Sequence, residues 1–106
     1  MDKMPPIVVL CGSTRFMDAF HEANRRLSLA GEIVLTVELV IYDGATDPQR
    51  AEPEQKQRLD ELHLRKIDLA DYVMVLNIGG YIGDSTRSEI EYAEALGKRI
   101  EYLEKR

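Results

Sequence analysis

Residues 72–86 read YVMVLNIGGYIGDST, an apolar run that ends in a turn rich in glycine. The run is broken only by the amide of Asn77, as is typical of a parallel strand that is buried on both faces of a sheet. The glycines and the Asp-Ser-Thr triplet that follow are typical of a turn that leads into a helix. The stretch therefore predicts a central strand whose carboxyl end opens into a glycine-rich turn and a helix.

The beginning of the chain repeats this order of strand, turn and helix. Residues 7–10 (IVVL) form a short apolar run, and residues 11–15 (CGSTR) follow it as a second small turn. From Phe16 onward apolar residues recur at helical spacing until Gly31, which suits the left-handed position that ends a helix. We therefore expect a second buried strand with its own turn and helix.

The remaining segments continue the alternation. Residues 32–40 (EIVLTVELV) are rich in β-branched residues and predict a strand, and a polar loop at 41–52 leads to a helix that begins at Pro53. A last short strand is expected at 99–103. The order β-α-β-α-β-α-β predicts an α/β fold with a mostly parallel sheet of four or five strands and helices on both faces. We expect a single domain over residues 1–106.

The spacing of apolar residues also predicts which faces of the later helices point inward. In the second helix the inward residues are expected to be Leu59, Leu62, Ile67 and Ala70. In the third helix, which Gly97 ends, they are expected to be Ile90, Ala93 and Leu96.

Composition excludes several classes of function. The net charge is −5 and the isoelectric point is about 5.0, whereas proteins that bind nucleic-acid polymers are typically basic. No segment reaches the length of a membrane span, and the single cysteine, Cys11, cannot form an intramolecular disulfide. We therefore expect a cytoplasmic protein with a small-molecule ligand, no membrane association and no nucleic-acid polymer as partner.

Several polar residues are expected to meet at one edge of the sheet. Ligands of open α/β sheets bind beyond the carboxyl ends of the strands. Both glycine-rich turns, the loop at 41–52, Asn77 and Tyr42 follow such ends. Tyr42 is interpreted either as an aromatic wall beside a bound base or as a half-buried anchor of its loop.

The first turn has the chemistry of a phosphate site. Gly12 allows a close approach of the backbone, Ser13 supplies a hydroxyl, the helix start supplies N–H groups, and Arg15 adds a planar cation. The spacing is not that of a Walker A loop. The alternative is that Ser13 or Thr14 only caps the first helix.

The second turn repeats this combination with Gly80, Ser85 and Arg87, which favours one anion site shared by both turns. Glu89 follows, in what the spacing predicts to be the first turn of the third helix. Thr86 and Glu89 fit a capping box, in which the carboxylate bonds back to the helix start. The alternative is an ionised Glu89 that faces the ligand and attacks an electrophilic sugar carbon.

The histidines and the cysteine give a weaker pattern. His63 lies at helical spacing between Leu59 and Ile67, so it is either a partly buried structural residue or an acid/base group. His21 and Cys11 are far from it in sequence, and this spacing predicts no metal site. Cys11 is expected to be a small buried residue.

Three segments carry a family resemblance that spans nearly the whole chain: VVLCGSTRF (8–16), ADYVMVLN (70–77) and SEIEYAEALGKRI (88–100). With the glycine and serine turn between the last two, they resemble the nucleoside 2-deoxyribosyltransferase superfamily, and most closely its deoxynucleoside 5′-monophosphate N-glycosidases. The resemblance implies a flavodoxin-like three-layer sandwich, a homodimer, and cleavage of a base–sugar bond with no metal and no cofactor.

The resemblance also implies roles for single residues. The family's nucleophilic glutamate, which attacks the anomeric carbon of the sugar and displaces the base, matches Glu89. The family's phosphate contacts match Ser13 and Arg15, with Ser85 as the match in the second turn. The substrate is then a (deoxy)nucleotide or nucleoside. The enzyme is an N-glycosidase if water accepts the sugar, and a deoxyribosyltransferase if a second base does.

Two positions depart from the family pattern. The family's helper aspartate falls at His63, which makes this histidine the candidate second catalytic residue. The aromatic residue late in the family's first strand falls near Val9. Because of these departures, a second alternative is that the protein is a non-catalytic module. It would bind or sense a nucleotide at the same phosphate site, with Glu89 as a helix cap. A flavodoxin-like domain without a small ligand is the third alternative.

Overall fold

The structure is a computed structural model that describes residues 4–37 and 53–105. Within these ranges four strands form one sheet: β1 (Ile7–Cys11), β2 (Ile33–Leu35), β3 (Tyr72–Val75) and β4 (Arg99–Tyr102). They alternate with the helices α1 (Met17–Leu29), α2 (Pro53–Leu69) and α3 (Asp84–Ala95). The strand order is β2-β1-β3-β4, and each neighbouring pair is parallel. The predicted α/β fold is confirmed, with an all-parallel sheet compatible with a flavodoxin-like sandwich.

The two central strands, β1 and β3, are buried on both faces. Along β1, Val8 and Leu10 face α1, whereas Val9 and Cys11 face α2 and α3. Successive side chains of a strand point to opposite sides, so a strand covered by helices on both sides has no position for a polar side chain. This two-sided burial explains the unbroken apolar runs of the sequence.

Three layers result from the placement of the helices. α1 buries Phe20, Ala23 and Leu27 against one face of the sheet. α2 and α3 cover the other face, where Ile67 and Ile90 pack against the strands. In the part of the chain described here, none of the helices has the length and apolar character needed to cross a bilayer.

Two of the predicted inward positions are wrong. Leu62 and Leu96 are each 48% exposed. The buried positions of α2 are His63 and Ile67, which are four residues apart, and Leu62 is rotated from them by about 100° of helix. Leu96 lies beyond the last residue of α3. His63 is buried, which agrees with its predicted place at helical spacing between Leu59 and Ile67.

β2, β3 and β4 are shorter than the sequence predicts, whereas β1 extends one residue further, to Cys11. The predicted strand at 32–40 is observed as Ile33–Leu35, and residues 38–40 lie outside the described residues. The strand expected at 72–78 ends at Val75, because the chain then turns through a short 3₁₀ segment, Ile78–Gly80. The two glycines of this segment have positive φ angles of 63° and 82°, which other residues rarely adopt.

The topology leaves a crevice between the carboxyl ends of β1 and β3. The chain leaves β1 through α1 on one face of the sheet and reaches β3 from α2 on the other face, so the connections diverge at this pair of strands. Ligands of open α/β sheets bind at such a point. The first turn approaches closely there, since a Cβ atom at Gly12 would lie 3.2 Å from the Cβ and the carbonyl oxygen of Leu76. Any side chain at this position would force Leu76 to shift by a few tenths of an ångström, which favours glycine at the base of the crevice.

Candidate functional site

A cavity of about 340 Å³ opens at the carboxyl ends of β1 and β3. Its walls are the turn after β1, the start of α3 and the inward side of α2. The volume is at the lower end of the range for small-molecule sites. The residues predicted for a site that line this cavity are Gly12, Ser13, Arg15, His63, Ser85 and Glu89.

The first turn holds Ser13 and Arg15 at the rim through a short 3₁₀ segment, Thr14–Phe16. Ser13 Oγ accepts a hydrogen bond from the Arg15 N–H at 3.3 Å. Ser13 therefore caps the 3₁₀ segment and not α1 itself, which begins at Met17. A serine hydroxyl that accepts one hydrogen bond can still donate its own proton, so capping and anion binding are compatible at this residue.

Tyr81 joins the two turns, and sequence reasoning did not single it out. The guanidinium carbon of Arg15 lies 4.5 Å from the centroid of the Tyr81 ring. The ring of Phe16 meets the same tyrosine edge-on, with centroids 6.1 Å apart. A cation over an aromatic face at this distance is attracted to it, so Tyr81 fixes Arg15 at the rim. The available signal was an aromatic residue inside the otherwise small-residue turn GGYIG.

Helix α3 begins earlier than the predicted capping box requires. Its first residue is Asp84, and its N-cap residue, Gly83, has no side chain to cap it. Thr86 is therefore the third helical residue, and it is buried. Glu89 lies in the second turn of the helix and not in the first. The capping-box interpretation is wrong, because the N-cap is Gly83, three residues ahead of the threonine expected there.

A carboxylate and an imidazole line the floor of the cavity, and a buried thiol lies directly behind them. Glu89 Oε1 lies 3.8 Å from His63 Nε2, and the Glu89 side chain is 18% exposed. The same His63 nitrogen lies 3.4 Å from Cys11 Sγ. The expected burial of Cys11 is confirmed, and His63 is also buried. The separation of His63 and Glu89 is within ion-pair range but too long for a direct hydrogen bond, so charge attraction depends on protonation of the imidazole.

Asn77, Gly80 and Arg87 were predicted to bind the substrate, but they do not line this cavity. Asn77 is buried, its Nδ2 donates to the Glu104 carbonyl oxygen at 3.0 Å, and its Oδ1 accepts from the Glu104 N–H at 2.9 Å. Its amide is thus used to hold the chain after β4. Gly80 lies on the exposed surface, and the Arg87 side chain is 61% exposed beside Asp84.

Tyr42 lies outside the described residues, as does the loop at 41–52 that carries it. Both interpretations of this tyrosine stay predictions.

Neither a protein-family model nor a curated protein sequence matches this chain. The resemblance to the nucleoside 2-deoxyribosyltransferase superfamily stays a prediction from sequence motifs. Function is therefore inferred from the geometry of the cavity.

Proposed function

We propose that this protein is a cytoplasmic N-glycosidase or deoxyribosyltransferase that cleaves the base–sugar bond of a (deoxy)nucleotide or nucleoside, with Glu89 as nucleophile. The observation that carries the proposal is the position of the Glu89 carboxylate. It lies in the cavity that the turns after β1 and β3 both line, and little of it is exposed. A carboxylate held there can reach a bound sugar while most bulk water is excluded.

The proposed reaction consists of two displacements. A carboxylate oxygen of Glu89 forms a bond to the anomeric carbon of the sugar, and the carbon–nitrogen bond breaks with its electron pair leaving on the base. Water then attacks the same carbon, and the ester bond to Glu89 breaks. One water is consumed: its hydroxyl ends on the sugar and its second proton ends on the base. In a transferase, a second base attacks in place of water.

The phosphate of a nucleotide is proposed to bind at the rim between the two turns. Arg15 supplies a planar cation, Ser13 supplies a hydroxyl proton, and the start of α3 at Ser85 supplies N–H groups with a partial positive charge. Within residues 4–37 and 53–105, Arg15 forms no ion pair that would compete with the phosphate. Asp84, the acidic residue of that helix start, also lines the cavity, but its side chain is fully exposed and lies 3.7 Å from the Arg87 guanidinium.

His63 is proposed to position the nucleophile. Its ring is buried in the layer between α2 and the sheet, so it cannot rotate away from Glu89 without opening the core. A protonated imidazole at 3.8 Å attracts the carboxylate and holds it toward the cavity. In the family that the sequence resembles, the position of His63 is the one that holds a helper aspartate.

Base release tests the proposal directly. The protein is incubated with a panel of ribonucleotides, deoxyribonucleotides and their nucleosides, and free base is measured by chromatography. Release in proportion to protein and time supports a glycosidase, and formation of a new nucleoside from an added free base identifies a transferase. Nucleotide binding with no release from any member of the panel overturns catalysis.

A nucleotide-sensing module without catalysis is the second candidate, and the approach of His63 to Glu89 favours it. If the imidazole keeps its proton, the two groups form an ion pair, which lowers the reactivity of the carboxylate. The rim would still bind a phosphate. The sensor is distinguished by wild-type protein that binds a nucleotide and releases no base from it.

We expect Arg15→Ala to weaken the binding of nucleoside monophosphates by about 10–100-fold, since a hydrogen bond to a charged group contributes about 1.5–3 kcal/mol. The matching nucleosides, which lack the phosphate, should lose little affinity. Calorimetric dissociation constants for matched pairs measure the difference. Arg87→Ala is the matched control, because that side chain lies outside the cavity, and it should leave both ligands unaffected. Equal loss for nucleotide and nucleoside in Arg15→Ala would remove the phosphate assignment.

The chain is also proposed to form a homodimer through α2. Leu62 and Leu69 are seven residues apart on this helix, hence on one side of it, and are 48% and 67% exposed. The double change Leu62→Glu and Leu69→Glu is expected to convert the dimer to a monomer in size-exclusion chromatography with light scattering. Leu29→Glu changes an equally exposed leucine on α1 and should leave the dimer intact. A wild-type chain that is monomeric at micromolar concentration contradicts the proposal.

A further inference from the structure

Cys11, His63 and Glu89 come from three different elements and meet at the bottom of the cavity, where His63 and Glu89 line it and Cys11 lies behind them. Cys11 is the last residue of β1, His63 lies in α2, and Glu89 lies in α3. One ligand atom from each residue lies within 4.8 Å of the other two. The distance from Sγ to Nε2 is 3.4 Å, and from Nε2 to Oε1 it is 3.8 Å. A thiol, an imidazole and a carboxylate are thus brought together where two of the three are fully buried.

These distances fit coordination of a single ion. Zinc binds sulfur at about 2.3 Å and nitrogen or oxygen at about 2.0–2.2 Å in tetrahedral sites, which places neighbouring ligand atoms about 3.3–3.6 Å apart. The two separations from His63 Nε2, 3.4 Å to the sulfur and 3.8 Å to the oxygen, are close to this range. The third separation, between the Glu89 oxygen and the Cys11 sulfur, is at most 4.8 Å, and Glu89 is the most exposed of the three residues, so its side chain has the most freedom to adjust.

The donor set selects the class of ion. Mg²⁺ and Ca²⁺ take oxygen ligands, whereas a thiolate together with an imidazole favours zinc and related transition metals. We propose that Cys11, His63 and Glu89 bind one divalent cation of the zinc class, with the fourth coordination position open to the cavity. Three protein ligands with an open position are the arrangement of reactive metal sites, in contrast to closed structural sites with four protein ligands.

The open coordination position faces the cavity because Cys11 is the most deeply buried of the three ligands. His63 and Glu89 line the cavity, and Cys11 lies behind them in the core. A water molecule or an anionic oxygen that enters the cavity completes the tetrahedron. The ion would be the largest local positive charge of the site, so it would also strengthen the binding of an anionic ligand beside Arg15.

This inference does not rest on the proposed glycosidase activity, and the two place opposite demands on Glu89. A carboxylate that coordinates the ion shares its electron pair and is unavailable as a nucleophile. Zinc is therefore expected to inhibit base release, and a chelator is expected to restore it.

Metal binding is tested on the full chain without nucleotide. Chelator-treated protein is titrated with Zn²⁺ by calorimetry and with Co²⁺ by absorption spectroscopy. We expect one ion per chain and an intense near-ultraviolet band from thiolate-to-cobalt charge transfer. Cys11→Ser should abolish this band, and His63→Gln should lower zinc affinity by more than about 100-fold, since even outer partners of a ligand contribute about 10–100-fold. His21→Gln, on the exposed side of α1, is the matched control and should bind normally.

Folding of each variant is checked by circular dichroism and thermal unfolding. Zinc at a hundredfold excess over its dissociation constant should raise the melting temperature of the wild-type protein by on the order of 10 °C, because the ion binds only the folded state. The proposal is overturned if zinc does not bind, or if cobalt binds without the thiolate band. If Cys11→Ser does not fold, two other measurements test the proposal. Glu89→Gln should lower zinc affinity, and the cobalt spectrum of the wild-type protein should show the thiolate band.

The two proposals fail independently. If the metal-free protein releases base through Glu89 and zinc does not bind, the metal site is refuted and the glycosidase stands. If zinc binds through these three residues and the metal-free protein releases no base, the glycosidase is refuted and the metal site stands.

Discussion

Glu89→Gln is expected to reduce base release by at least about three orders of magnitude, the scale of loss when a covalent nucleophile is removed. The amide has nearly the same shape as the carboxylate but carries no charge and is a poor nucleophile. It cannot form the ester bond to the anomeric carbon. The rate is measured as free base released from saturating nucleotide under single-turnover conditions, so that slow product release does not mask the chemical step.

The fold and the rim of the cavity should be unaffected by this change. Glu89 is not the N-cap of α3, and it lies one turn below the residues proposed to hold the phosphate. Nucleotide affinity in Glu89→Gln is therefore expected to stay near that of the wild-type protein. Glu91→Gln is the matched control: it removes the same charge from the same helix at an exposed position and should retain full activity.

A trapping experiment distinguishes nucleophilic catalysis by Glu89 from electrostatic stabilisation of the transition state by the same carboxylate. Acid quenching of the wild-type protein during turnover should yield a fraction of chains heavier by one sugar phosphate, attached at Glu89. The same treatment of Glu89→Gln should yield none. Base release in Glu89→Gln at a tenth of the wild-type rate or more, or a sugar attached at another residue, contradicts the assigned nucleophile.

The central sheet could be predicted from the sequence because its burial is two-sided. Residues 7–10 and 72–75 have no polar position, which only a strand covered on both faces requires. The glycines after both runs then place the turns at one edge. This reasoning brings Ser13, Arg15, Ser85 and Glu89 to one cavity before any coordinates are considered.

The details inside the cavity could not be predicted, because they depend on contacts between distant segments. Cys11 and His63 are 52 residues apart in sequence and 3.4 Å apart in space. The apolar spacing of α2 placed both His63 and Leu62 near its inward face, and of these two residues only His63 is buried. Asn77 follows a strand at the correct edge, but the Glu104 backbone takes both atoms of its amide.

The start of α3 illustrates a different limit of sequence reasoning. Thr86 and Glu89 have the spacing of a capping box, and spacing alone does not fix where the helix begins. The backbone of Gly83 is already extended ahead of Asp84, so the helix starts three residues earlier than the capping box predicts. This shift moves Glu89 from the helix start into the wall of the cavity. The choice between cap and cavity residue is therefore made by backbone geometry.

Phe20→Ala is expected to lower the free energy of unfolding by about 3–5 kcal/mol, the usual cost of removing a buried aromatic ring and leaving a void. Phe20 is 2% exposed and packs in the cluster between α1 and the sheet with Leu10 and Leu76. Small domains have a total stability of about 5–15 kcal/mol. The variant therefore loses a large fraction of its stability, which urea unfolding followed by circular dichroism measures.

The same ring also supports the first turn, which links this loss of stability to the site. Its Cζ would lie 3.4 Å from a Cβ atom at Gly12, so the ring fills the space directly beneath that glycine. Phe16→Ala is the control, because Phe16 is only half-buried at the rim and should cost clearly less. If Phe20→Ala unfolds at nearly the wild-type urea concentration, the ring is not packed under Gly12. The crevice between β1 and β3 would then lack the support on which the position of Ser13 and Arg15 depends.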